Sequence, residues 1–469
     1  MKPFALFIGL LAGSGVVVCT IAAAGLLPDS GAKRIASDAG SSDSYGDAVA
    51  IDGDYAIVGA ALNSENGGLS GAAYILERDA AGAWGEVLRV LPSDGELGDF
   101  FGFSVALHDE TAIIGAEQDN GPAGINQGSA YVYIRNGAGI WEFQEKLISA
   151  DGSGLDLFGF AVAIDVDTAL VTCMRDDDGQ PNAGSVYVYV RDGLGVWSFQ
   201  DKLLASDGAT SDAFGGSLAL LGDDAAAGAP RTDDLGEDSG SVYVYERDGL
   251  GDWSEVVELT ADDGAAGDLF GIGVALVGDL LAVGSPFNDE NGSDSGAVYL
   301  FERDGLGDWM QTDKLMSGVG AADQLFGSSV SISGGVLAIG ASGDAGAQAG
   351  SGAVYLFELS GGSWTQVDRV IASDGETNDA FGGAIGVDGQ CLLVGAGDDD
   401  DGGLDAGAVY FFDLCLPDIN GDGVVDTADL GALIGAFGSA DAASDLYDDG
   451  IVDTADLGAL IAAFGSACP

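Results

Sequence analysis

Apolar and polar positions along most of the chain repeat one short plan. In one copy, Phe101 to Leu107 reads as a strand, His108-Asp109 as a tight turn, and Thr111 to Ala116 as a second, nearly unbroken apolar strand. A polar loop rich in Gly, Asp and Asn follows, then an aromatic-aliphatic strand from Ser129 to Arg135. A Gly turn leads to a fourth strand opened by Trp, from Trp141 to Ser149. Short apolar runs separated by turn residues make a four-stranded antiparallel meander.

The plan recurs in register. An aromatic-Gly pair stands at Tyr45-Gly46, Phe101-Gly102, Phe158-Gly159, Phe214-Gly215, Phe270-Gly271, Phe326-Gly327 and Phe381-Gly382, spaced by 56, 57, 56, 56, 56 and 55 residues. One meander cannot bury both faces, so its neighbours must stack on it. Radial stacking of seven copies predicts an all-β, seven-bladed β-propeller, assigned to residues 33–414. The last copy has three strands, ending at Ala408 to Leu414, and lacks the Trp-opened fourth. Ala32-Lys33-Arg34-Ile35-Ala36-Ser37-Asp38 matches the fourth strand Asp201-Lys202-Leu203-Leu204-Ala205-Ser206-Asp207. Residues 33 to 37 are therefore expected to complete the blade containing Phe381, closing the ring with the N-terminal strand and removing exposed edges.

Composition narrows the function. Lys plus Arg is 15 against 76 Asp plus Glu, a formal net charge of -61. Phosphate binding needs clustered cations, so neither nucleic acid nor an anionic membrane face is an expected partner. With 47% apolar residues the chain is no disordered acidic tail. One histidine, His108, excludes sites built on several imidazoles. Residues 1–24 read as a signal peptide, with Met1-Lys2, an apolar run from Phe4 and Ala22-Ala23-Ala24 before Gly25. An uncleaved anchor is the alternative; no later stretch is apolar enough to span a bilayer.

These residues resemble the FG-GAP repeats of integrin-α-like propellers. The second element of that pattern is Gly59-Ala60, Gly115-Ala116, Gly228-Ala229-Pro230, Gly284-Ser285-Pro286, Gly340-Ala341 and Gly395-Ala396; the third unit departs, with Thr172-Cys173. The resemblance implies calcium loops between the first two strands of some blades. Here that connection is cut to turns such as Asp52-Gly53-Asp54 and Ser333-Gly334-Gly335. Asp43, Asp99, Asp156, Asp212, Asp268 and Asp379 each stand two residues before the aromatic of the pair, with Gln324 in the sixth copy, and read as turn residues satisfying backbone N–H groups. The acidic loops Asp176-Asp177-Asp178-Gly179, Asn288-Asp289-Glu290-Asn291-Gly292 and Asp398-Asp399-Asp400-Asp401-Gly402 read as solvation of an acidic exported protein. Trp141, Trp197, Trp253, Trp309 and Trp364 read as blade packing.

After Leu414 the pattern changes. Asp418, Asn420, Asp422, Asp426 and Asp429, with the Val424 carbonyl, occupy the oxygen-ligand positions of a twelve-residue EF-hand-type loop, and Gly423 sits at its sharp turn. The pattern returns with Asp445, Asp449, Asp453 and Asp456 and the Ile451 carbonyl; Tyr447 stands where an oxygen donor is expected, so this second site should bind Ca2+ more weakly. Each loop is followed by an apolar stripe at helical spacing, Leu430, Leu433, Ile434, Phe437 and Leu457, Leu460, Ile461, Phe464. These duplicated loop-helix units, residues 415–469, resemble a dockerin. The resemblance implies Ca2+ as cofactor, a cohesin-like or cell-surface protein as partner, and a setting among extracellular polysaccharide-degrading assemblies. Cys415 and Cys468 bracket the module and are expected to be bonded in an exported protein. Cys173 and Cys391 read as buried free thiols. No catalytic constellation is identified. The expected function is that of an exported, non-enzymatic binding or scaffold protein with a protein or glycan ligand on the propeller; the alternative is an extracellular polysaccharide-processing enzyme with a carboxylate pair on the propeller face.

Overall fold

The computed structural model describes residues 31–79, 82–333, 335–360, 362–389, 391–414 and 427–438, with 452, 457, 460 and 461. Seven four-stranded antiparallel sheets make up the propeller. The first blade is formed by Ala48–Asp52, Tyr55–Ala60, Ala72–Arg78 and Trp84–Val90. The second is formed by Phe101–His108, Thr111–Ala116, Ser129–Arg135 and Trp141–Leu147. Blades three to six repeat this order through residue 370. The seventh combines Ala384–Asp388, Cys391–Ala396 and Ala408–Asp413 with Ala32–Arg34, which pairs Lys33 opposite Tyr410. The first strands of the blades neighbour one another in a ring, in which the seventh blade's strand lies beside the first blade's.

Second and third strands are buried on both faces, which is why they read as continuous apolar runs. Fourth strands are buried at their two ends and open to solvent between them, and the leading Trp84, Trp141, Trp197, Trp253 and Trp309 are buried.

Two glycines decide how closely blades approach. The glycine of each aromatic-Gly pair holds φ between 84° and 105°, a region open to glycine at no steric cost. Its carbonyl oxygen then meets the second strand of the preceding blade. A Cβ on Gly59, Gly115, Gly228, Gly284, Gly340 or Gly395 would lie 2.0–2.1 Å from the carbonyl oxygen of Gly102, Gly159, Gly271, Gly327, Gly382 or Gly46, respectively. In the third blade, where Thr172 replaces this glycine, its hydroxyl donates to the Gly215 carbonyl at 2.7 Å. The departure from the repeat thus exchanges a bare contact for a hydrogen bond.

Gly284→Ala should therefore force neighbouring backbone apart and cost about 1–3 kcal/mol, whereas Gly305→Ala, with open space around its Cβ, should be nearly neutral. Urea unfolding of the two variants beside the parent checks this; equal midpoints would refute it.

Candidate functional site

A tyrosine in the third strand anchors each blade: Tyr74, Tyr131, Tyr187, Tyr243, Tyr299, Tyr355 and Tyr410, all 0–3% exposed. Its ring packs edge-on against the aromatic of the blade's own aromatic-Gly pair, with centroids 5.1–5.5 Å apart. A buried hydroxyl needs a partner. In six blades it donates to an aspartate of the connection entering the blade: Asp38, Asp94, Asp151, Asp207, Asp263 and Asp374, at 2.6–3.0 Å. In the sixth blade Tyr355 donates instead to Asp344 at 2.6 Å.

Opposite each tyrosine, on the fourth strand, stands Arg89, Lys146, Lys202, Glu258, Lys314, Arg369 or Lys33 in blade order. Six of these seven are cations caged by carboxylates. Lys33 reaches Asp374, Asp399 and Asp401 at 3.0, 2.7 and 2.6 Å. Lys202 reaches Asp151 and Asp176 at 3.3 and 2.8 Å and also pairs with Asp178. Lys146 meets Asp94 and Asp119 at 2.6 and 2.5 Å, and Lys314 meets Asp263 and Glu290 at 2.6 and 2.5 Å. Arg89 pairs with Asp38 and Glu65, and Arg369 with Asp344. All four lysines among the described residues are used this way.

Burial opposes charge on Lys33, Lys146, Lys202 and Lys314, but hydrogen bonds and carboxylate charges outweigh it and raise each ammonium above its ordinary pKa. Likewise burial would raise Asp94, Asp151, Asp263 and Asp374, yet bonds from the tyrosine and lysine hold these carboxyls below the usual range.

The fourth blade breaks the series. Glu258 occupies the cation's place, and ligand oxygens of Asp207, Asp234 and Glu258 lie within 4.8 Å of one another. Burial, then the neighbouring Asp234 and Asp207, pushes Glu258 up to about 7.

The turn aspartates behave as the sequence predicts. Asp43, Asp99, Asp156, Asp212, Asp268 and Asp379 each accept the backbone N–H of the residue three before. Gln324 joins Ser317, Asp344 and Tyr355. The acidic loops differ from the expectation of plain solvation: Asp176, Asp178, Glu290, Asp399 and Asp401 are counter-charges of the cages. The lysine column, spaced by multiples of the repeat at Lys146, Lys202 and Lys314, is the signal that reveals this. Cys173 and Cys391 are buried free thiols. Among the described residues, turns rather than acidic loops join the first two strands of a blade, as at Asp109-Glu110.

Of the expected calcium ligands, Asp418, Asn420, Asp422, Val424, Asp426, Asp445, Asp449, Ile451, Asp453 and Asp456 lie outside the described residues, as do Cys415 and Cys468. Asp429 is fully buried in the first turn of the helix Thr427–Ala436, where the twelfth ligand of such a loop should be. Leu433, Val452 and Leu460 are fully buried and continue the apolar cluster of Phe412 and Leu414. Gly438 N–H donates to the Val452 carbonyl at 2.7 Å, tying the end of this helix to the second repeat. Ile434 and Ile461, at equivalent repeat positions, are exposed.

Lys202→Met should leave Asp176 buried without its counter-ion and cost on the order of 2 kcal/mol, less than a fully buried orphan because Asp151 and Asp178 face water. Asp151 has a folded-state pKa below its unfolded one, so its stabilisation is complete above about pH 4 and is lost as pH falls through the lower folded value. Asp151→Asn should accordingly lower the urea midpoint at neutral pH and converge with the parent in strong acid; a constant gap across pH would refute the assignment.

No helix among the described residues is long and apolar enough to cross a membrane. Curated relatives include integrin alpha-7 of Mus musculus, 33% identical over 135 residues, covering 25% of this chain and 11% of that protein. Integrin alpha-7 of Rattus norvegicus is 32% identical over 119 residues, covering 23% of this chain and 10% of that protein. The aligned part is thus about a tenth of the length of either integrin. Among solved structures, a protein from Lactobacillus plantarum is 12% identical at a TM-score of 0.43, covering 70% of this chain and 84% of the other. The FG-GAP repeat pattern matches residues 29–76, 84–133, 141–189, 197–245, 253–301, 309–357 and 364–412, seven matches that each run from the fourth strand of one blade through the third strand of the next, and the chain belongs to the FG-GAP repeat family.

Proposed function

We propose that the protein is an exported, non-enzymatic scaffold whose propeller is a rigid interaction platform, attached through residues 415–469 by a calcium-dependent dockerin to a cohesin-like or cell-surface receptor. The observation that carries the platform reading is the near equivalence of the blades: in six of the seven, a fourth-strand cation is engaged with carboxylates of neighbouring segments and holds strands together. A binding or scaffold role is what an FG-GAP propeller favours.

The attachment reading draws on the duplicated loop spacing and on the buried Asp429 at its expected ligand position. All donors in the first loop are oxygens, the set a hard cation such as Ca2+ takes. Asp418, Asn420, Asp422, Val424, Asp426 and Asp429 would hold one ion; Asp445, Asp449, Ile451, Asp453 and Asp456 would hold a second. So small a unit generally needs a metal or disulfide to fold, which makes its helices calcium-dependent. The exposed Ile434 and Ile461 supply equivalent apolar contacts for a receptor.

In the full chain, chelator should remove the helical far-ultraviolet circular dichroism while leaving the β signal, and added calcium should restore it. An Asp418→Ala/Asp445→Ala double variant should show no recovery. Helical signal indifferent to both treatments would refute the attachment reading.

A further inference from the structure

Among the described residues, every lysine and arginine forms an ion pair or a side-chain hydrogen bond except two, Arg175 and Arg231. In a chain of 76 acids and 15 bases, an arginine without a carboxylate is unexpected. Both side chains are exposed, and both stand two residues past the second strand, in adjacent blades three and four. Their backbone N–H groups donate to the Asp156 and Asp212 carbonyls at 3.1 and 3.3 Å, which fixes them beside the start of the first strand. The acids nearest in sequence are engaged elsewhere. Asp176 and Asp178 pair with Lys202, Asp177 accepts the Asn182 N–H, Asp233 accepts the Asp238 N–H, and Asp234 accepts from Ser241.

The residue after each aromatic-Gly pair lies against the same stretch. A Cβ on Gly216 would sit 3.2 Å from the Pro230 ring, and one on Gly397 would sit 1.7 Å from Asp47 Oδ1 of the next blade. This position is Gly or Ser in blades four, six and seven but Phe103 and Phe160 in blades two and three. The two rings have centroids 5.2 Å apart, and Phe103 is 36% exposed. By the geometry of Asp47 and Gly397, Phe160 borders Glu117 of blade two. Glu117 is 5% exposed; Gln118 donates to its Oε1 at 3.2 Å, while Oε2 has no hydrogen-bond partner among the described residues. Burial pushes this carboxyl up, opposed by Gln118 and by the charge of Arg175. A buried oxygen of this kind calls for a donor.

We propose that this rim of blades two to four binds an acidic saccharide, with carboxylates on Arg175 and Arg231, a sugar ring against Phe103 and Phe160, and a hydroxyl donating to Glu117. The inference rests on the platform reading and gives that platform a ligand class. A guanidinium meets a carboxylate through paired N–H donors, and an aromatic ring offers an apolar face beside it. Gly216 falls between the two arginine-bearing segments and has no side chain to fill the gap. A saccharide is favoured over an acidic peptide because the local backbone is already paired: the N–H groups of Arg175 and Arg231 are used, and Gly216 N–H donates to Ala213 and Gly228. A peptide main chain finds no free ladder to extend, so recognition falls to side chains. The net charge of -61 repels long polyanions, so the fitting probe is a short oligomer at about 0.15 M salt, where that field is screened beyond about 8 Å.

Isothermal titration of the full chain with trigalacturonate tests the proposal. Affinity should fall about tenfold or more in an Arg175→Gln/Arg231→Gln double variant. It should also fall in Phe160→Ser, which installs the residue that blade six carries at Ser328. Both variants should keep the parent's Tm, and the neutral galactose trimer should bind the parent more weakly than the acid. Equal affinity of the parent and the double variant would overturn the site while leaving the platform reading in place. Tighter binding of triglutamate or of a sulfated trisaccharide would overturn the ligand class, and a parent that binds none of these probes would overturn the inference as a whole.

Discussion

The propeller depends on how closely one blade's backbone can approach the next. A glycine with positive φ turns its carbonyl toward the preceding blade, and a glycine without a side chain receives it there. Both must be small for different reasons: the first for its backbone conformation, the second for the space its Cβ would claim. This contact brings the flanking apolar strands into van der Waals reach, so that each blade covers its neighbour. Gly395 meets Gly46 in the same way as Gly284 meets Gly327, so the seventh blade joins the first by the contact used elsewhere.

Above this contact the electrostatics follow from position. In six of the seven blades the aromatic of the motif holds the tyrosine, the tyrosine hydroxyl holds an aspartate, and the aspartate holds the lysine or arginine of the fourth strand. Three separate chain segments are pinned at one point that is buried on one side and wet on the other. Acidic residues at the rims of the cages remain partly exposed, while the cage lysines are largely covered by them. The excess of 76 acids over 15 bases is consequently felt at the surface even more strongly than the totals convey.

Much of the fold was legible because it is repeated. The strand Thr111–Ala116 and the strand Ser129–Arg135 fall where the apolar runs predict, and only ends such as His108 and Leu147 shift by a residue or two. The role of the six turn aspartates was legible too, because an Asp that accepts a nearby N–H acts locally. The cages were harder, since Lys202, Asp151 and Asp178 come from segments 51 and 24 residues apart and no short motif joins them. Nor does the sequence mark the residue before each aromatic: Ser44, Phe100, Leu157, Ala213, Leu269, Leu325 and Ala380 all hold φ between 50° and 59° with no glycine to signal it. Their left-handed conformation is imposed by the blade junction against local preference, at a cost of about 1–2 kcal/mol per residue.

The strand Ala32–Arg34 carries an implication for how the molecule is made. Lys33 finds its carboxylates 366 and 368 residues later, so the seventh sheet stays incomplete until nearly the whole propeller has been synthesised. Pairings this distant must close a very long loop, which slows folding and lengthens the time during which unpaired edges are available to other chains. The earlier blades can collapse as local meanders while the chain emerges, but the circle is completed last, when the waiting N-terminal strand finds the seventh sheet.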